Sequence, residues 1–157
     1  MTPETIKQRT TQIVEPMSSM PGGLLPILHA VQDQLGYVPE ESVPVIARSL
    51  NLSRAEVHGV ITFYHHFRRT PPGKRILYVC RSEACQAIGG RTLETHVKGR
   101  LGIDWHETTS DGNLSLEPIY CLGNCACAPA VMLDERVVGR VSPERLDALI
   151  DECCSDE

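Results

Sequence analysis

Two pairs of cysteines restrict the fold of this chain more than anything else in it: Cys80-Arg-Ser-Glu-Ala-Cys85 and Cys121-Leu-Gly-Asn-Cys125. Each follows a short apolar run, residues 76–79 before the first pair and 114–120 before the second, and such runs predict strands. Each pair therefore falls where backbone leaves a sheet and turns irregular. If both loops leave the same end of one sheet, four sulfurs converge. The full count is seven cysteines, odd in number and irregular in spacing, which makes a poor disulfide framework. The opening residues, Met1-Thr-Pro-Glu-Thr-Ile-Lys-Gln-Arg9, are charged where a signal peptide would be apolar. A cytoplasmic location is expected, and in a reducing cytosol clustered thiols bind metal or do redox chemistry.

Four thiolates suit either Zn²⁺ or an iron–sulfur cluster. Zinc sites usually pair cysteines two to four residues apart, most often as C-x₂-C. The first pair here is C-x₄-C, as at the start of the plant-type [2Fe–2S] loop, although the rest of that pattern is absent. A two-iron core takes two thiolates per iron, which two separated pairs supply. A thiol oxidoreductase is disfavoured because C-x-x-C is missing. On spacing alone, iron–sulfur stands first, structural zinc second and redox or buried thiols third. Reduction adds negative charge to a core that is already anionic, so N–H groups facing the sulfurs matter. Gly89, Gly90, Gly123 and residues 126–130 offer such low-bulk backbone, and Arg81 is placed to lower the cost of the added electron. Cys127 is one thiol in surplus. Cys125 is preferred to it as the fourth ligand, with Cys127 a small hydrophobe.

The chain changes grammar at Arg68-Arg-Thr-Pro-Pro-Gly-Lys74, a breaker-rich stretch. Its 157 residues, 41% of them hydrophobic, suffice for one ordinary domain or two small ones. Residues 1–70 read as a helical bundle. Thr2 caps a first helix opened by Pro3 and Glu4. Leu24, Leu28, Val31 and Leu35 form a helical stripe that Gly36 ends. Pro39, Glu40 and Glu41 open a third helix, with Val43, Ile46 and Leu50 on one face. Ser53-Arg-Ala-Glu56 is a capping box ahead of Val57, Val60, Ile61 and Tyr64. From 75 to 157 the order is strand, helix, three strands, helix, an α+β pattern. The first of these helices is expected from about Ala84, with Leu93, Val97 and Leu101 in a row. Turns fall at Asp111-Gly-Asn113 and Asp134-Glu-Arg136. Ser142 and Pro143 start the last helix, whose stripe is Leu146, Leu149, Ile150 and Cys153, with Cys154 a partly exposed spectator.

Several segments carry a resemblance. Pro21-Gly-Gly-Leu-Leu-Pro-Ile-Leu28, Leu35-Gly-Tyr-Val-Pro39, Val60-Ile-Thr-Phe-Tyr64 and both cysteine motifs resemble the 24 kDa [2Fe–2S] subunit family of complex I. The likeness runs from about residue 20 to 150. It implies a helical N-terminal region followed by a thioredoxin-like [2Fe–2S] ferredoxin domain. Carried over by position, it implies that Cys80, Cys85, Cys121 and Cys125 hold one [2Fe–2S] cluster. Pro129 stands where thioredoxin folds often place a cis proline. The implied partner is a larger subunit that binds FMN and NAD(H), exchanging single electrons with the cluster on the electron path or as a side store. Within the family, Gly123-Asn-Cys-Ala-Cys-Ala-Pro129 is most similar to gamma subunits of soluble NAD-dependent formate dehydrogenases, which implies a formate-oxidising subunit in the complex. The corresponding subunits of NADH-quinone oxidoreductase and bidirectional hydrogenase are the alternatives, and a zinc-stapled interaction module is the alternative of another class.

Other features exclude more than they add. A net charge of −5 and only seven aromatic residues (two Phe, four Tyr, one Trp) disfavour nucleic acid. No stretch approaches the roughly 20 apolar residues of a membrane span. His65 and His66 point about 100° apart on a helix, so they do not share one ion. His29, His58, His96 and His106 do not pair with the cysteines by spacing, which leaves a Rieske-type site weak. Neither Gly22-Gly23 nor Gly89-Gly90 is a phosphate loop. The chain alone is therefore expected to bind no NAD and to catalyse no hydride transfer. Arg68, Arg69, Lys74 and Arg75 read as a solvated linker rather than a docking patch.

Overall fold

The computed structural model describes residues 1–155, the last three by backbone alone. It divides into two compact units, Met1–Pro71 and the chain from Pro72 onward. The expectations for Cys153 and Cys154 fall on side chains outside the described residues.

The first unit holds helices α1 (Pro3–Val14), α2 (Leu24–Leu35), α3 (Val43–Ser49) and α4 (Arg54–Phe63). Their ends follow the capping chemistry. Thr2 Oγ1 accepts from Thr5 N at 3.3 Å, and Gly36 takes the left-handed conformation (φ 84°) that ends α2. At α4 both arms of the capping box form: Glu56 N donates to Ser53 Oγ at 3.2 Å, and Ser53 N to Glu56 Oε2 at 2.7 Å. Ile27, Leu28, Val31, Ile46, Val57 and Ile61 bury the apolar faces together. Two expectations fail here. Pro39, Glu40 and Glu41 do not open α3, because Glu40–Ser42 form a separate 3₁₀ turn before it. Tyr64 leaves the helix with extended backbone and is exposed, so the buried row stops at Ile61. Buried Gln32 ties down the chain beyond α4: its Oε1 accepts from Arg68 N at 2.7 Å and its Nε2 donates to His66 O at 2.9 Å.

The second unit is built on strands β1 (Arg75–Cys80), β2 (Glu107–Thr108), β3 (Leu114–Ile119), β4 (Val131–Leu133) and β5 (Arg136–Val138), in the sheet order β2-β3-β1-β4-β5. β1 and β3 are parallel, in register from Arg75 opposite Leu114 to Cys80 opposite Ile119; the other pairings are antiparallel. A parallel pair needs a long crossover, and the chain supplies it as α5 (Glu83–Cys85), a wide turn at Gln86–Gly90, and α6 (Arg91–Leu101). Helix α7 (Pro143–Ser155) closes the chain, with Ser142 Oγ accepting from Arg145 N at 3.2 Å. Leu77, Val79, Leu93, Val97, Leu116, Val131, Leu146, Leu149 and Ile150 make the core. Burying one such side chain contributes about 1.5–3 kcal/mol.

The crossover also departs from expectation. It is not one helix from Ala84, because Ile88 and Gly89 (φ 94°) have non-helical backbone. Gly90 explains part of the tightness: a Cβ there would lie 2.6 Å from Cys85 O. The hairpin at Asp111-Gly-Asn113 forms between β2 and β3, although the strand that the sequence places over residues 104–109 is only Glu107–Thr108. The second turn is Asp134-Glu135 alone, since Arg136 already pairs with Leu133.

Candidate metal centre

The parallel register of β1 and β3 builds the site. Because the strands run in step, Cys80 ends β1 directly beside Ile119, the last residue of β3. The hydrogen bond from Arg81 N to Ile119 O (2.7 Å) and that from Cys80 N to Ala130 O (3.1 Å) hold the three chain segments together at this end. Cys85 sits one turn on, in α5, and Cys121 lies two residues beyond β3. Cys125 opens a 3₁₀ turn, Cys125–Cys127. Cys80 and Cys85 are buried with Ala130 and packed by Ile119, Leu122 and Ala128. Cys121 and Cys125 are exposed, and Cys127 is half-buried.

The thiols meet as two pairs. The Cys85 thiol feels Cys80, and the Cys125 thiol feels Cys121 and, through its charge, Cys80. Burial pushes the Cys80 thiol up, yet hydrogen bonds from the Ser82 hydroxyl and backbone, the Cys85 thiol and the Leu122 backbone outweigh it, so its pKa falls below the usual value. The hydroxyl contact is 3.3 Å. Burial and then the bond to Cys80 raise the Cys85 thiol. The bond to Cys121 and the Cys121 charge raise Cys125. Backbone N–H groups reach the sulfurs as well: Gly123 N donates to Cys121 Sγ at 3.3 Å. Such donors offset the negative charge of metal-bound thiolates.

This donor set fits a two-iron, two-sulfide core. The thiols come in twos, and two per iron is what such a core takes. Four of the six histidines have other near neighbours. His106 Nδ1 is 2.6 Å from Glu117 Oε2, His96 Nε2 is 2.9 Å from Asp147 Oδ1, and the His29 and His66 rings lie 5.0 Å apart.

The Ala128–Pro129 bond is cis, at the position where the resemblance places one. Other structure around the site was hidden in the sequence. Gly139 lies against the second loop: a Cβ there would be 2.6 Å from Asn124 Nδ2 and 2.7 Å from Cys127 Cβ. Beside it, Arg140 N donates to Cys127 O at 2.6 Å. No local signal marks Gly139, because the contact spans a hairpin. Arg81 does not stand free beside the thiols, since its Nε pairs with Glu94 Oε2 at 3.1 Å. In the basic run, Arg75 is part of β1 and pairs with Asp134 at 2.9 Å, and Arg69 lies 3.8 Å from Glu40. No helix among the described residues is long and apolar enough to cross a membrane.

Comparison with known proteins gives the same picture. The family model for thioredoxin-like [2Fe-2S] ferredoxins matches residues 10–154. The HndA component of the NADP-reducing hydrogenase of Solidesulfovibrio fructosivorans is 33% identical over 150 residues, which cover 96% of this chain and 88% of that one. A subunit of the NADH-quinone oxidoreductase of Pseudomonas aeruginosa is 39% identical over 124 residues, covering 79% of this chain and 75% of that one. Among solved structures, the NAD⁺-reducing [NiFe]-hydrogenase in its H₂-reduced state superposes with a TM-score of 0.69 at 25% identity over 86% of this chain. The chain spans only 22% of that hydrogenase chain's length. With a family match over most of its length and a full-length relative at this identity, the chain belongs to the thioredoxin-like [2Fe-2S] ferredoxin family, whose cofactor is one [2Fe–2S] cluster.

Proposed function

We propose that this chain is an electron-transfer subunit of a multi-subunit, NAD(P)-linked oxidoreductase, with Cys80, Cys85, Cys121 and Cys125 as the ligands of its cluster. The observation that carries the reading is the packing of the second cysteine loop, through Leu122 and Ala128, onto Cys80 and Cys85 at the ends of two parallel strands. The bound cluster supplies a one-electron store. The chain's own residues bury one thiol pair, leave the other near solvent, and direct the Gly123, Leu122 and Ala130 backbone at the sulfurs. The electron partner in this reading is the FMN of a neighbouring NAD(H)-binding subunit, and the place of work is the cytoplasm. Relatives in NADH-quinone oxidoreductase and in NADP-reducing hydrogenase favour a complex of that kind over an NAD-dependent formate dehydrogenase. The half-buried Cys127, packed on Gly139, is assigned no iron.

The test is low-temperature EPR on anaerobically purified, dithionite-reduced protein, with iron and zinc counted on the same sample. A rhombic S = ½ signal with about two irons per chain is expected. A silent spectrum with about one zinc would instead make the site a structural staple. Cys80→Ser and Cys121→Ser should bleach or strongly alter the spectrum, and Cys154→Ser should leave it unchanged. A silent Cys125→Ser beside a destructive Cys127→Ser would overturn the ligand assignment.

A further inference from the structure

Arg81 follows Cys80 directly, and its backbone N–H is fixed on Ile119 O at 2.7 Å. A cation rooted there would favour a centre that gains negative charge on reduction. Its side chain is nonetheless held. Nε donates to Glu94 Oε2 at 3.1 Å, and the guanidinium carbon lies 5.4 Å from the centre of the Trp105 ring. Glu94, on α6, has a side chain only 16% exposed. Its other oxygen accepts from Trp105 Nε1 at 3.2 Å and lies 3.5 Å from Lys98 Nζ. Lys98 is itself tied to Asp104 at 2.7 Å and stands 4.6 Å from the same indole ring. One carboxylate thus fixes Arg81 and the indole between them. Arg81 and Glu94 line an open polar groove of about 520 Å³ with Gln86, Arg91, Thr95 and Tyr120. Gln86 follows Cys85 and Tyr120 precedes Cys121, so this wall is made from sequence neighbours of three proposed ligands.

We infer that Glu94 is a positioning residue that sets the reduction potential of the centre by clamping Arg81 and offsetting part of its charge. The inference rests on the iron–sulfur reading above. One electron enters the cluster from the reductant, and no bond or proton changes at Arg81 or Glu94. Removing the carboxylate charge leaves the cation's field uncompensated and favours the reduced form. Removing the cation leaves Glu94 with Lys98 as its remaining cationic partner and disfavours that form.

Potentiometric EPR titration of the cluster-loaded protein separates these effects by sign. Glu94→Gln should move the midpoint upward and Arg81→Gln downward, each on the order of tenfold in the one-electron equilibrium, about 59 mV. Arg81→Lys, which keeps the charge, should stay nearer the parent value than Arg81→Gln. Shifts of the same sign in both charge variants would mean simple loosening and overturn the inference, as would midpoints that do not move. Should Glu94→Gln fail to hold a cluster, the two Arg81 variants decide: a lowered midpoint in Arg81→Gln that Arg81→Lys restores supports the clamp, and any other pattern overturns it. A parent protein with no S = ½ signal would remove the iron–sulfur reading itself, and the inference with it.

Discussion

At the scale of single residues, two glycines separate packing from propensity. Gly139 has no room for a side chain, since a Cβ would press on Asn124 and Cys127 within 2.7 Å. Gly139→Ala must therefore push the Cys121–Cys127 loop outward. The expected outcome is protein with well under the parent iron content and a weakened visible spectrum, read by metal analysis and absorbance. Gly99, inside α6, faces open space with nothing within 4 Å of a built Cβ. Gly99→Ala should keep its iron and gain about 0.5–1 kcal/mol of stability in denaturant unfolding, because the helix no longer carries glycine's entropy cost. If both variants lost iron equally, steric pressure at Gly139 would not be the cause.

At the scale of elements, α4 shows how a short helix depends on its first turn. Its ten residues are below the length at which a helix stands alone in water, so capping and burial of Val57 and Ile61 both matter. Ser53→Ala removes the acceptor for Glu56 N and should cost about 1 kcal/mol. The Glu56 carboxyl is held below its ordinary pKa of 4.5, first by the Ser53 backbone N–H and then by the Ser53 hydroxyl. A depressed carboxyl favours the fold above its unfolded value and loses that contribution as pH falls through the folded one. Helical circular dichroism of the parent should therefore weaken on acidification below about pH 4.5, and Glu56→Gln should flatten that part of the titration while starting from a less stable helix. The crossover between β1 and β3 illustrates the opposite case. There Ile88 and Gly89 break an otherwise helical pattern, and Gly90, in helical backbone, lets the turn close tightly on Cys85.

At the scale of the whole molecule, each unit has its own core, and the thiols belong to the edge of the second. The loop from Tyr120 to Ala128 has little regular structure beyond one 3₁₀ turn, and Tyr120, Cys121 and Cys125 are exposed. A cluster held by the four proposed thiols would tie this loop to β1 and α5, and whatever binds only the folded form stabilises it. Removing iron with a chelator under reducing conditions should lower the melting temperature. It should also make the chain more open to chymotrypsin at Tyr120 and Leu122, mapped by mass spectrometry of the fragments. Unchanged cleavage after complete iron loss would show that the loop holds its shape without metal.

What the sequence determined by itself was local. The Ser53–Glu56 box, the Thr2 and Ser142 caps, the Gly36 stop and the strand expected over residues 76–79 all depend on neighbours a few positions apart, and the structure carries each of them. The two cysteine spacings likewise announced a thiol centre of the iron–sulfur or zinc kind, because ligand pairing is written along the chain. Tertiary structure decided what depends on distant segments meeting. The parallel register of β1 with β3 sets Cys80 beside Ile119 and so brings the loop that carries Cys121 and Cys125 to the same end of the sheet. The contact of Gly139 with Cys127, the Gln32 tie to residues 66–68, and the capture of Arg81 by Glu94 are all long-range. Each couples residues 12 to 36 positions apart, and no periodicity or cap signal spans such a gap: only packing, which buries the apolar faces and leaves these polar and close-contact partners facing one another, chooses them.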